Sequence, residues 1–293
     1  MATGGDGREP SVNPAYGAAL ASSALFGAGD FAGGIAARRG PAPLVTAFSA
    51  LGALALLLVG MGFIRGTPSA DDLAWGAAAG ACGAAGATLI YKSLALGPMS
   101  LASPVFCVIG LSVPVLVGVA LGERPSSLAW TGVALAVVAI PLLSLTGVGP
   151  GHVPRAHVRR TLFVSIMAGL TIGWFLVCVA RIGLAAGLLP LVVARGVALV
   201  LLISWYVARR RPALPPAAAR PAALGAGVLD SSANVAYWLA VQSAPLALVS
   251  ALVSLAPATT VLIARVTLGE RWSAAQRVGL VVALAAGLCI SLG

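Results

Sequence analysis

Ten stretches of about twenty mainly apolar residues leave this chain few folds to choose from. They run approximately over 15–37, 43–64, 73–96, 99–121, 127–146, 161–181, 188–208, 222–243, 246–267 and 274–292. A helix rises about 1.5 Å per residue, so each stretch can cross the roughly 30 Å hydrocarbon core of a bilayer. The breaks fall where turn chemistry and charge coincide, as in Arg38-Arg39-Gly40-Pro41 and from Gly122 to Pro125. Hydrophobic residues make up 59% of the chain and charged residues 9%, with a mean hydropathy of +1.01. Soluble domains carry about a quarter charged residues, so an ordinary globular fold is excluded. The expected fold class is an all-α membrane protein with ten transmembrane helices.

The chain also repeats itself. Leu121-Gly122-Glu123-Arg124 recurs 147 residues later as Leu268-Gly269-Glu270-Arg271. At that offset 14 of the 48 positions from Pro98 to Leu145 are identical without a gap. Chance would give roughly a tenth in so apolar a composition, and a period this long reads as an internal duplication. Each copy holds five spans, an odd number, so the second enters the bilayer upside down. Inverted repeats of this kind are a plan of secondary transporters, with the substrate site near the midplane between them. The expected organisation is a disordered tail over 1–14, a five-helix repeat over 15–147, a connector over 148–160 and a second five-helix repeat over 161–293. The first apolar stretch is too long for a signal peptide and lacks a basic leader, so it counts as the first span.

The net charge of +10 is carried by arginines in connectors, with Lys92 the single lysine. Placed there, they serve topology and lipid headgroups rather than nucleic acid. If the N-terminus is cytoplasmic, the inner side carries Arg65, Arg124 and Arg181, plus Arg8 in the tail, and the outer connectors carry Arg38, Arg39, Arg155, Arg159, Arg160, Arg209, Arg210, Arg211, Arg220 and Arg271. The positive-inside rule then favours both termini outside. The four cysteines stand far apart in apolar runs, and His152 and His157 share one connector, so no metal or disulfide framework is indicated and no cofactor is expected.

A charge inside a span is costly and calls for a partner. The chain places four there: Asp30, Lys92, Arg195 and Asp230. At about 1.5 Å per residue, Asp230 lies roughly 12 Å and Asp30 roughly 20 Å into their spans. Depth pairs Asp30 with Lys92 in one half of the membrane and Arg195 with Asp230 near the middle. Such charges could staple helices together, but buried ion pairs stabilise poorly compared with packed apolar residues. The alternative is that an aspartate binds a proton or a substrate ammonium group. Asp230, Asn234 and Tyr237 fall at i, i+4 and i+7 and share a helical face. Tyr91 and Trp174 add amphipathic surface. Gly29 with Gly33, and Gly76 with Gly80, read as close helix packing. Pro104, Pro114 and Pro257 lie inside spans and are weak pointers to a pathway.

Gly27-Ala28-Gly29-Asp30 matches the GxGD pattern of intramembrane aspartyl proteases, and Pro212-Ala213-Leu214 their PAL tripeptide. Those enzymes need two carboxylates, the other following a tyrosine in the preceding span. Here GxGD is in the first span, no Tyr-Asp pair exists and the PAL tripeptide falls in a connector, so the match is accidental. Gly-x-Ser-x-Gly, HExxH and Walker A sequences are absent, and no enzyme is expected.

The blocks Tyr91-Lys92-Ser93-Leu94-Ala95-Leu96-Gly97-Pro98 through Leu121-Gly122-Glu123-Arg124, and Tyr237-Trp238-Leu239-Ala240 through Pro245 and Pro257 to Leu268-Gly269-Glu270-Arg271, resemble the drug/metabolite transporter superfamily in its ten-helix form with two EamA-type repeats. The resemblance covers about residues 15–293. It implies a multi-pass secondary transporter of the inner (plasma) membrane that exports or exchanges a small organic metabolite such as an amino acid, with proton coupling open. Its partners are then a small-molecule solute and the lipid bilayer, with no nucleic acid, and the chain is a monomer or homodimer. The resemblance further implies a central cavity at Asp30, Tyr91, Lys92, Trp174, Asp230, Asn234 and Tyr237. Arg195 fits the arginine that relatives carry early in the second helix of a repeat, although its counterpart at this offset is Phe48. The usual Trp-Gly of the first helix is Phe26-Gly27 here. Relatives keep both termini in the cytoplasm, against the arginine count above. The alternatives are a multidrug exporter of lipophilic cations and, in another class, an intramembrane aspartyl protease.

Overall fold

The computed structural model describes residues 14–120, 126–144, 155–208, 215–243, 253, 255–269 and 273–292. The tail expected over 1–14 (Pro14 aside), Leu121 to Arg124, Glu270-Arg271, most of the 148–160 connector and Pro212-Ala213-Leu214 lie outside them. Among the described residues the chain forms ten α-helices and no strand. They are α1 (Pro14–Arg39), α2 (Ala42–Gly60), α3 (Ala70–Leu96), α4 (Met99–Ala120), α5 (Ser127–Ser144), α6 (Arg155–Ala180), α7 (Leu189–Ala208), α8 (Arg220–Ser243), α9 (Ala256–Leu268) and α10 (Ala274–Leu292).

Local chemistry sets the boundaries. Pro41 precedes α2 with an extended backbone and supplies the helix start, where a missing N–H costs nothing. Ser69 and Asp72 form a reciprocal capping box at the head of α3. Asp72 also accepts a hydrogen bond from the Gly183 amide at 2.6 Å, and the Thr67 amide donates to Ala185 at 2.9 Å. These bonds clasp the α2–α3 connector to the α6–α7 connector. A Cβ on Gly66 would meet the Ala185 carbonyl at 2.5 Å, so that approach requires glycine. At the other end of the bundle, Arg38 donates to the Leu94 and Gly97 carbonyls and Arg39 to Ala218, each at 3.4 Å. The described connectors from α1 to α4 therefore lie on alternate faces, as antiparallel neighbours joined by short links must.

α1 packs along α8 and α3 along α6, while α2 lies on α8 and α7, α7 on α3, α4 on α6, α9 on α1, and α5 on α10. Small residues bring these backbones close. A Cβ on Gly227 would run into Ser49 of α2, one on Gly76 would reach the Pro190 carbonyl of α7 at 2.5 Å, and one on Gly169 the Phe106 carbonyl of α4 at 2.8 Å. The glycines on α3 thus serve packing, as expected for small residues between membrane helices. Hydroxyls reinforce it: Ser22 donates to Ala233 at 2.8 Å and Thr260 to Gly27 at 3.0 Å, tying α1 to α8 and α9.

Large apolar side chains point outward, among them Val207 (71% exposed), Val266 (77%) and Val281 (65%). Such a surface fits acyl chains rather than water. Five of the described helices are long and apolar enough to cross a membrane, namely α1, α2, α3, α6 and α7, with shorter apolar helices in α4, α9 and α10. The expectation was ten. α8 carries Arg220, Asp230, Ser231, Ser232 and Asn234, which dilute its hydropathy. α9 has 13 residues, and 246–252 and 254 of the span expected there lie outside the described residues.

Candidate substrate site

The site is built on the middle of α8. Asp230 forms an ion pair with Arg195 of α7, with side chains 32% and 18% exposed. Asn234, one turn on, donates through Nδ2 to the Asp230 carbonyl at 2.8 Å and to its carboxylate at 3.3 Å. One acid thus has a charged partner from a neighbouring helix and an amide partner from its own.

α1 brings the second acid. A Cβ on Gly29 would stand 3.3 Å from the Ala226 carbonyl and 3.4 Å from the Asp230 amide, so α1 rides on α8 at this level. Asp30, the next residue, is half-buried and lies within the field of Asp230. From α3, Tyr91 is 4% exposed, its ring fills the space left by Gly33, and its hydroxyl bonds to Ser49 Oγ at 3.0 Å. It feels Asp230, Asp30 and Arg195. Cys107 of α4 packs against the same cluster and feels Asp30. Neither Cys107 nor Ser49 is marked in the sequence: Cys107 is an isolated cysteine in an apolar run, and Ser49 a lone serine in α2.

Asp30, Tyr91, Arg195, Asp230 and Asn234 are therefore brought together, and Arg195 meets Asp230 as depth predicts. Other expectations need correction. Lys92 is exposed, and the charge acting on Asp30 is Asp230, so the Asp30–Lys92 pairing is not formed. Adjacent helical residues point about 100° apart, and Tyr91 takes the inward direction. Trp174 is 51% exposed on α6 and stands outside the charged cluster. Tyr237 packs with Ala18, Ala19, Ala240 and Val253, about two turns along α8 from Asp230.

Two carboxylates at close quarters invite comparison with an aspartyl dyad, which shares one proton between them. Here Asp230 engages Arg195 and Asn234 instead, leaving Asp30 as a separate acid. The chemistry offered is ion and hydrogen-bond recognition among helices α1, α3, α7 and α8.

Residues 13–145 match the model of the EamA-like transporter family. This stretch belongs to that family, part of the drug/metabolite transporter superfamily. With its apolar helices the chain is a multi-pass membrane protein, and the match to a transporter family is carried by residues 13–145. No curated protein matches it. Among 14 solved chains that do, one crystal structure superposes with a TM-score of 0.62 at 16% identity, covering 96% of each chain. At that identity the likeness bears on the fold alone.

Proposed function

We propose that the protein is a secondary active transporter of the inner membrane that exports or exchanges a small organic metabolite, amino acids and amines being the classes to screen. The carrying observation is the Arg195–Asp230 pair with Asp30 beside it, where helices of the first and second halves meet. Intramembrane charges are expensive, and a solute or proton site accounts for their cost. The architecture proposed is ten spans in two inverted five-helix repeats. Shifting every helix by five exchanges α1 on α8 with α6 on α3, and α2 on α8 with α7 on α3, which supports that reading. Asp30 and Asp230 are then the proton or substrate groups, Asn234 and Tyr91 line the same place, and a pH gradient is the driving force.

The test is uptake by proteoliposomes of a labelled panel of amino acids and amines, with and without an imposed pH gradient. At least one solute should accumulate above protein-free liposomes with the gradient, and Asp230→Asn should lower its rate at least tenfold. Equal fluxes in protein-containing and empty liposomes across the panel would refute the reading.

A further inference from the structure

Among the described residues, the charges around Asp30 do not balance. α8 runs against α1 here, a Cβ on Gly29 standing 3.4 Å from the Asp230 amide, with Arg195 of α7 held on the Asp230 carboxylate; α3 lays the Tyr91 ring on Gly33, and Cys107 of α4 packs in the same cluster as Tyr91 and Phe31. α2 has no charged residue, and Arg265 of α9 is exposed in its last turn. Lys92, the one lysine, is exposed and forms no ion pair with Asp30. Two carboxylates thus face one guanidinium, and that guanidinium is engaged with Asp230. An uncompensated charge at this depth is costly. We infer that Asp30 is the exchanging group, taking in turn one proton or the primary ammonium of a monocationic substrate, while Arg195, Asp230 and Asn234 stay paired.

This inference rests on the transporter reading and narrows it. A zwitterion would bring no net charge and leave the imbalance in place. A quaternary cation is held by open aromatic faces, whereas the Tyr91 ring is covered by Gly33 and its hydroxyl taken by Ser49. A primary ammonium instead offers N–H donors, which suit the Asp30 carboxylate.

The experiment compares isoamylamine with L-leucine, which share an alkyl tail and differ by the carboxylate. Binding to the purified full-length protein is measured by calorimetry at several pH values, and transport by counterflow in proteoliposomes. Isoamylamine should bind, release one proton per molecule where Asp30 holds its proton, and weaken tenfold for each pH unit of acidification there. Asp30→Asn should weaken it at least 50-fold and abolish the pH dependence, while Asp30→Glu should retain both. If Asp30→Asn fails to elute as a single species, proton release by the unsubstituted protein decides. Amine binding without proton release, no amine binding, or leucine binding as tightly as the amine overturns the inference. Counterflow of leucine but not amine also overturns it and leaves the transporter reading standing. Proton-linked amine binding without counterflow upholds the Asp30 assignment and removes the transporter reading.

Discussion

At the scale of single residues, the question is what the Arg195–Asp230 pair contributes to folding and what to function. Removing one partner of a buried pair leaves the other charge uncompensated, at about 3–5 kcal/mol. These side chains are only partly buried, so about 2 kcal/mol is the expected loss for Asp230→Asn or Arg195→Gln alone. The double substitution removes both charges and should recover at least half of that in thermal unfolding in detergent, while transport stays lost. A double variant no more stable than either single one would mean that the pair is not coupled energetically. The pair was legible in the sequence because hydropathy gives each charge a depth and chain direction tells which depths meet. The direction in which a side chain points around its helix is not legible in that way. Lys92 and Tyr91 have nearly the same depth, yet only Tyr91 faces Ser49 and the acids. Trp174 failed for the same reason, since an aromatic in a span reads alike whether it faces lipid or a neighbouring helix.

Among the elements, α8 shows how the bundle tells one glycine from another. Gly225 has nothing within 4 Å of where a Cβ would stand, whereas a Cβ on Gly227 would overlap Ser49 and come within 2.9 Å of the Ala53 amide. Gly225→Ala should therefore be neutral or stabilise by up to about 1 kcal/mol through helix propensity. Gly227→Ala should destabilise by about 2 kcal/mol or more by driving α8 from α2, as overpacking does. Unfolding midpoints of the two variants, purified side by side, check the contrast; equal midpoints would mean that α2 and α8 are not in this register. Element boundaries were legible where Gly, Pro and charge coincide, as at Gly97-Pro98. They were missed where a helix outruns the membrane. α6 begins at Arg155, ahead of the apolar stretch from 161, because arginines hold a helix well but lower the hydropathy that marks a span. α2 ends at Gly60, and the apolar Met61 and Phe63 belong to a turn closed by Val59 and Gly60 carbonyls.

For the whole molecule, the alternation of connectors sorts the described charges onto two faces. The face where α1 begins holds Arg65, Arg181, Asp71 and Asp72; the opposite face holds Arg38, Arg39, His157, Arg159, Arg160 and Arg220. The family resemblance implies cytoplasmic termini, but arginine retained on the inner side implies the reverse. The arginines also have structural work: Arg38 and Arg39 tie α1 to α3 and to the α7–α8 connector, and Arg220 bonds the Pro215 carbonyl at 3.0 Å. Such bonds act only after insertion, whereas the charge bias acts while the chain is being threaded, so the bias should set orientation. Thr67 and Ala218 are exposed on the two faces and can report it. With the unsubstituted protein as blank for its four cysteines, Thr67→Cys should react with a membrane-impermeant maleimide in intact cells. Ala218→Cys should react only after permeabilisation. The reverse pattern would place the arginine-rich face outside and make packing, rather than charge, the determinant of topology in this bundle.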